Sequence, residues 1–157
     1  MTCTSSLFEP EFTQRLCTIF EEQIAFNKVL GLQIDVIEAD MARAHIAMRP
    51  ELIGHFSHQR LHGGVISATL DAMGGLAVMA AIGARHMAEP VPLRLMRFAK
   101  LGTIDLRIDY LRPALGEGFK ATAQVLRLGS RVASTRMEFM DVQGRLLSTG
   151  AAAYMVA

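Results

Sequence analysis

The residues best able to do chemistry lie in one short run, Leu61-His62-Gly63-Gly64-Val65-Ile66-Ser67-Ala68-Thr69-Leu70-Asp71. A histidine precedes two glycines, and a carboxylate follows inside a very apolar stretch. Asp71 is the only charged residue between Val65 and Ala84. A carboxylate in such surroundings is costly, so Asp71 either has hydrogen-bonding partners or acts on a substrate. If Gly63-Gly64 opens a helix, its free N–H groups and the positive end of the dipole form an anion or oxyanion site. An ester or thioester carbonyl placed there is polarised, and a tetrahedral oxyanion is stabilised. The carboxylate can then serve as general base on water or as nucleophile.

One chain cannot easily bring both groups to one carbonyl. Eight residues lead from Gly63 to Asp71, about 12 Å along a helix axis. Two chains can, if their helices lie side by side and antiparallel, so a catalytic reading predicts a dimer with two equivalent sites. On a helical projection Ile66, Leu70, Met73 and Ala77 form one stripe suited to packing on a sheet. Asp71 lies on another side, with Ser67, Ala68, Gly74, Gly75 and Val78. Gly74 and Gly75 each cost about 1 kcal/mol relative to alanine inside a helix. The expected compensation is the close approach of a partner helix, a substrate or both. The alternative is a plain helix–helix contact with a hydrogen-bonded Asp71.

The elements that must position this segment can be read from periodicity. Phe12, Leu16, Ile19, Phe20 and Ile24 predict one helix from Glu9 to about Leu30, stopped by Gly31. Residues 32–38 and 42–49 read as a strand pair, and Pro50 to Arg60 as a loop. The apolar helix runs from Gly63 to about Ala84. Residues 85–101 carry Arg85, Arg94, Arg97 and Lys100 against Glu89, broken by Pro90 and Pro92. They read as a solvated basic insertion with a short helix at its end, or as a basic lip near an anionic ligand. Period-two alternation then marks a strand at 103–110, ended by Pro113, and others at 118–128, 131–141 and from 145 to Val156. These last four read as an antiparallel meander. With the first pair they give an α+β fold, one sheet of about six strands wrapped around the 63–84 helix.

Bulk properties narrow the function. The 157 residues are 51% hydrophobic and 20% charged, with a net charge of +1. They read as one domain, 1–157, with 85–101 as its insertion. Without basic clusters interleaved with aromatics, nucleic acid is a poor partner. Cys3 and Cys17 match no disulfide or zinc pattern, and the start of the chain lacks a signal-like run. The apolar helix is long enough to raise the membrane question. Asp71 at mid-membrane would cost about 2.5–3.5 kcal/mol, and the run is rich in Ala and Gly, so no membrane span is expected. The expectation is a soluble, cytoplasmic protein.

Several segments together resemble the hotdog-fold thioesterases, in particular the PaaI-like group and its YigI-type branch. They are Phe26-Asn27-Lys28-Val29-Leu30-Gly31, Leu61 to Asp71, Gly102 to Pro113, Leu128-Gly129-Ser130-Arg131 and Ala153-Tyr154-Met155-Val156. The resemblance implies a hotdog fold, a homodimer or dimer of dimers, and hydrolysis of acyl-CoA in lipid metabolism. It implies no cofactor beyond the CoA of the substrate. Asp71 matches the catalytic acid and Gly63 the residue whose N–H polarises the thioester carbonyl, with Gly64 and His62 beside it. Thr103 matches a hydroxyl that holds the attacking water in some members. Many members carry Asn or Gln six residues before the motif histidine, where this chain has Phe56. His55 and Gln59 flank that position, and His55 is the favoured substitute. The Gly129-Ser130-Arg131 turn with Arg127 resembles the family's contact to the CoA phosphates, and Arg97 and Lys100 are further candidates. His55, His58 and His62 could suggest a metal, but no nearby acid or cysteine completes a site.

Two other readings compete with a thioesterase for medium to long acyl chains. A hotdog hydratase or dehydratase needs a catalytic histidine paired with an acid, which His62 at a helix start does not obviously supply. An acyl-CoA-binding module without turnover would keep binding after Asp71→Asn.

Overall fold

The computed structural model describes residues 3–156. Its first element, α1 (Pro10–Thr18), starts on a proline, which is preorganised for the first helical position. The expected single helix to Leu30 is interrupted. Ile19–Gln23 is a π turn, with the Ile24 N–H donating to the Ile19 carbonyl at 3.0 Å. Ile24 is extended, and α2 (Ala25–Leu30) begins anew. Two side chains accept this break. The Asn27 amide donates to the Phe20 carbonyl at 2.9 Å, and the Glu21 carboxylate accepts the Ile34 N–H at 2.5 Å. Gly31 closes α2 in the left-handed region, φ +70°.

β1 (Gln33–Ile37) and β2 (Met41–Ala47) pair as expected. The Pro50–Arg60 stretch is more structured than a loop. It holds a small ladder of β3 (Ile53–His55) and β4 (Arg60–Leu61), separated by a 3₁₀ turn at Phe56–His58. α3 (Gly63–Arg85) follows. Then come α4 (Val91–Met96), β5 (Gly102–Tyr110), β6 (Gly118–Leu128), β7 (Val132–Asp141) and β8 (Leu146–Met155).

The sheet has six strands in the order β1-β2-β6-β7-β8-β5. The last four strands are therefore not a meander. β5 does not pair with β6. It lies on the far edge against β8, and β6 takes the place beside β2. The reason is the 111–117 connection, which carries Pro113 and the positive-φ Gly116 and is no two-residue hairpin turn. It crosses the width of the sheet instead.

α3 packs against β2, β5, β6, β7 and β8. Ile66, Leu70, Met73 and Ala77 are all buried there, the stripe expected from the projection. α3 is long and apolar enough to cross a bilayer, but 67% of its most apolar stretch is buried inside the protein. That makes it the core helix of the fold.

The 85–101 segment is not merely a solvated insertion. Arg94 on α4 is only 1% exposed and forms an ion pair with Glu9 at the start of α1. Its guanidinium lies 4.4 Å over the Phe12 ring, and Nη1 meets the Met87 sulfur at 3.2 Å. The contact clamps the segment to α1. Arg94→Ala removes packing as well as charge and should destabilise the protein by about 2–3 kcal/mol. The measurement is a urea midpoint that falls at unchanged slope, while Arg97→Ala leaves it near wild type.

Candidate active site

The structure gives Asp71 two hydroxyl partners. Thr103, at the start of β5, donates to Oδ1 at 2.9 Å. Tyr154, near the end of β8, donates to the Asp71 carbonyl at 2.9 Å and reaches Oδ1 at 3.2 Å. Thr103 and Tyr154 are cross-strand partners in the β5–β8 ladder, so one register delivers both groups. Oδ2 receives no protein donor among the described residues. Asp71 is half-buried on a cleft of about 270 Å³, with Phe20, Ile24, Ala68, Ala72 and Gly75 among its walls.

Tyr154 carries a role that the sequence reading did not assign. It is 1% exposed, and burial together with the Asp71 charge pushes its phenol pKa well up. The phenol therefore stays a neutral donor. The available signal was Gly74. A Cβ there would lie 2.1 Å from the Tyr154 hydroxyl and 2.9 Å from the Met137 sulfur. Gly74 thus admits groups of the chain's own sheet, not the partner helix or substrate expected for it. Gly75 is the glycine on the cleft. Val78 is also buried. The incompletely covered face around Asp71 is narrower than the projection suggested, consisting of Ser67, Ala68, Asp71 and Ala72.

At the start of α3, His62 is the N-cap. Its Nδ1 accepts the Gly64 N–H at 2.8 Å. The imidazole is thus an orienting group, and Gly64 is not a free donor. Gly63 opens the helix on a second cleft of about 410 Å³, with Arg60, Ile66, Tyr110 and Arg112. Asp71 is absent from that cleft, so one chain keeps the two groups apart. Neither His55 nor Gln59 lines either cleft. The His55 Nδ1 lies 3.1 Å from the Ser57 hydroxyl, and the Gln59 amide donates to the Phe56 carbonyl. Phe56 itself is 84% exposed. No group of three or more His, Cys, Asp or Glu is placed to hold a metal among the described residues.

Gly129 and Ser130 line a third cleft of about 470 Å³ at the other end of α3, beside Arg85, Arg97 and Lys100. Arg127 and Arg131 do not line it. Arg85, the last residue of α3, holds the turn by donating to the Gly129 and Leu128 carbonyls at 3.2 and 2.5 Å. Arg97 makes a two-pronged pair with Glu89 at 2.6 and 3.1 Å, which holds the Glu89 pKa below the ordinary carboxylate value. The basic insertion and the hairpin turn are therefore neighbours, as a lip at this end would require.

A sequence profile of the thioesterase superfamily matches residues 58–148, which include His62, Asp71 and Thr103. The chain belongs to the thioesterase superfamily. It is a thioester hydrolase with the hotdog fold, an antiparallel sheet around a central helix. It is 36% identical over 138 residues to the medium/long-chain acyl-CoA thioesterase YigI of Escherichia coli K12, covering 88% of this chain and 89% of that one. A crystal structure of a Shewanella oneidensis protein related to the superfamily superposes with a TM-score of 0.88 at 38% identity, over 96% of this chain and all of the other. A Haemophilus influenzae thioesterase at 20% identity shares the fold, with a TM-score of 0.72 over 96% of this chain and 91% of that one.

The buried phenol sets a pH test. Its folded pKa lies above the unfolded value near 10. Below pH 10 its contribution to stability is complete; above pH 10 the unfolded state ionises first and stability falls. Tyr154→Phe should flatten that alkaline loss, read as unfolding midpoints from pH 8 to 11. Equal slopes in both proteins would place the phenol in solvent.

Proposed function

We propose that this protein hydrolyses medium- to long-chain acyl-CoA to free acid and CoA, at two equivalent sites of a homodimer or dimer of dimers. The observation that carries the reading is Asp71, half-buried on an apolar helix, with both protein hydroxyls on Oδ1 and Oδ2 left to the cleft. Asp71 acts as general base. The Thr103 hydroxyl donates its hydrogen bond to Asp71 Oδ1, which leaves its lone pairs to hold a water beside Oδ2. The water loses a proton to Oδ2 and adds to the thioester carbonyl. The oxyanion rests on the Gly63 N–H of the second subunit. Collapse breaks the C–S bond, and the proton on Asp71 goes to the departing thiolate.

Three features support sharing the site between chains. Gly63 and Asp71 line different clefts of one chain. β5 is an edge strand, carries Thr103 and exposes Ile104 and Tyr110. Ala68 and Ala72 beside Asp71 are small enough for close approach. His55 or Gln59 is the second polarising group, supplied from the partner's side of the cleft. The CoA phosphates take the cleft at the Gly129–Ser130 turn beside Arg97 and Lys100, with Arg127 and Arg131 on the flanking hairpin outside its lining. The chain-length assignment follows the E. coli relative, which is named for medium and long chains. The reaction uses no cofactor or metal, and two free cysteines suit a reducing cytoplasm.

The test is thiol release from acyl-CoAs of short, medium and long chain, with wild type beside Asp71→Asn. Turnover should peak at medium or long chains and fall about 10²–10⁴-fold in the variant, with its oligomer intact. Equal rates in the two proteins, or no release from any chain length, would refute the reading.

A further inference from the structure

The four N–H groups at the start of a helix have no partner within the helix. Here three of them are taken. His62 N–H donates to the Leu52 carbonyl at 2.8 Å, Gly64 N–H to the His62 ring at 2.8 Å, and Val65 N–H to the His62 carbonyl at 3.0 Å. The Gly63 N–H is the one left over among the described residues. An oxyanion donor must also be stiff, because its benefit depends on being aimed before the reaction starts. Two successive glycines are the least stiff backbone available.

Tyr110 answers that problem. It stands at the end of β5, and its hydroxyl donates to the Gly63 carbonyl at 2.9 Å. Its ring lies 3.3 Å from where a Gly63 Cβ would be. The Gly63–Gly64 peptide is therefore gripped at both ends, the carbonyl by Tyr110 and the N–H by His62. The preceding peptide is held by Val65 on the His62 carbonyl. Tyr110 is 54% exposed, so its engaged hydroxyl is not explained by a need to satisfy a buried group.

We propose that Tyr110 is a positioning residue for thioester hydrolysis. Its hydroxyl fixes the Gly63–Gly64 peptide, and through Gly63 the adjoining His62–Gly63 peptide, so that the Gly63 N–H stays aimed at the substrate carbonyl. This rests on the reading of Gly63 as the oxyanion donor.

Tyr110→Phe tests it. Removing an oxyanion donor outright costs about 10²–10³ in kcat, so loosening one should lower kcat about tenfold with KM within about twofold of wild type. An unchanged kcat, or a loss confined to KM, would overturn the proposal; the latter would make Tyr110 a substrate contact. The second readout needs no turnover. Asp71→Asn protein is loaded with decanoyl-CoA carrying a ¹³C thioester carbonyl, and the carbonyl stretch is read by infrared difference. The bound carbonyl should absorb below the free one, and adding Tyr110→Phe should move it back toward the free value. A shift that is identical with and without the tyrosine hydroxyl overturns only the role of Tyr110. No shift at all in the Asp71→Asn protein overturns the Gly63 reading, and this proposal with it.

Discussion

The structure depends on how a carboxylate is tolerated on the flank of an apolar helix. The Ser67 hydroxyl, one turn before Asp71, donates to the Gly64 carbonyl, so the donors of Asp71 come from elsewhere. They come from one rung of the sheet, Thr103 and Tyr154, paired across β5 and β8. Both meet Oδ1, and this leaves the second oxygen without a protein donor among the described residues. Tyr154 can reach the helix only because Gly74 has no Cβ. A helix-weakening glycine, a strand register and a carboxylate on an apolar helix are thus three parts of one constraint.

The same constraint explains the strand order. Had β5 paired with β6, Thr103 and Tyr154 would not share a rung. The crossing at 111–117 carries β5 to the β8 edge, and this brings the hydroxyls together. It also leaves β5 unpaired on its outer side, with Thr103 at one end near Asp71 and Tyr110 at the other against Gly63. One edge strand therefore touches α3 both at its N-terminus and at Asp71. In the dimer proposed above, a second copy along that side meets the carboxylate and the helix N-terminus at once, and opposed helices bring one to the other.

Much of this was legible in the sequence. The apolar run fixed the core helix, alternation found the strands of the sheet, and His-Gly-Gly with an acid nine residues after the histidine marked the candidate site. The distance argument for two chains needed only the helical rise. What the sequence hid were long-range pairings. Periodicity finds β5 but does not say which strand it neighbours. Tyr154 alternates like any inward strand residue, and its partner Asp71 lies 83 residues away. The π turn at Ile19–Gln23 rests on the Asn27 side chain and on Glu21 meeting the next strand, contacts that helical spacing does not register. Arg94 looked like one more charge in a basic stretch. Its burial depends on Glu9 and Phe12 at the other end of the chain.

The central claim is that Asp71 of one subunit works with Gly63 of the other. Mixing two inactive proteins tests it most directly. Asp71→Asn removes the base. Gly63→Pro removes the N–H at a first helical position, where proline is tolerated, after a His62 that is already extended. Each alone should be nearly inactive. In a refolded one-to-one mixture about half the dimers are hybrids, and each hybrid has one site with both native groups. Activity should return to about a quarter of wild type. Hybrids that form, shown by two affinity tags, yet stay inactive would contradict the account and place both groups in one chain.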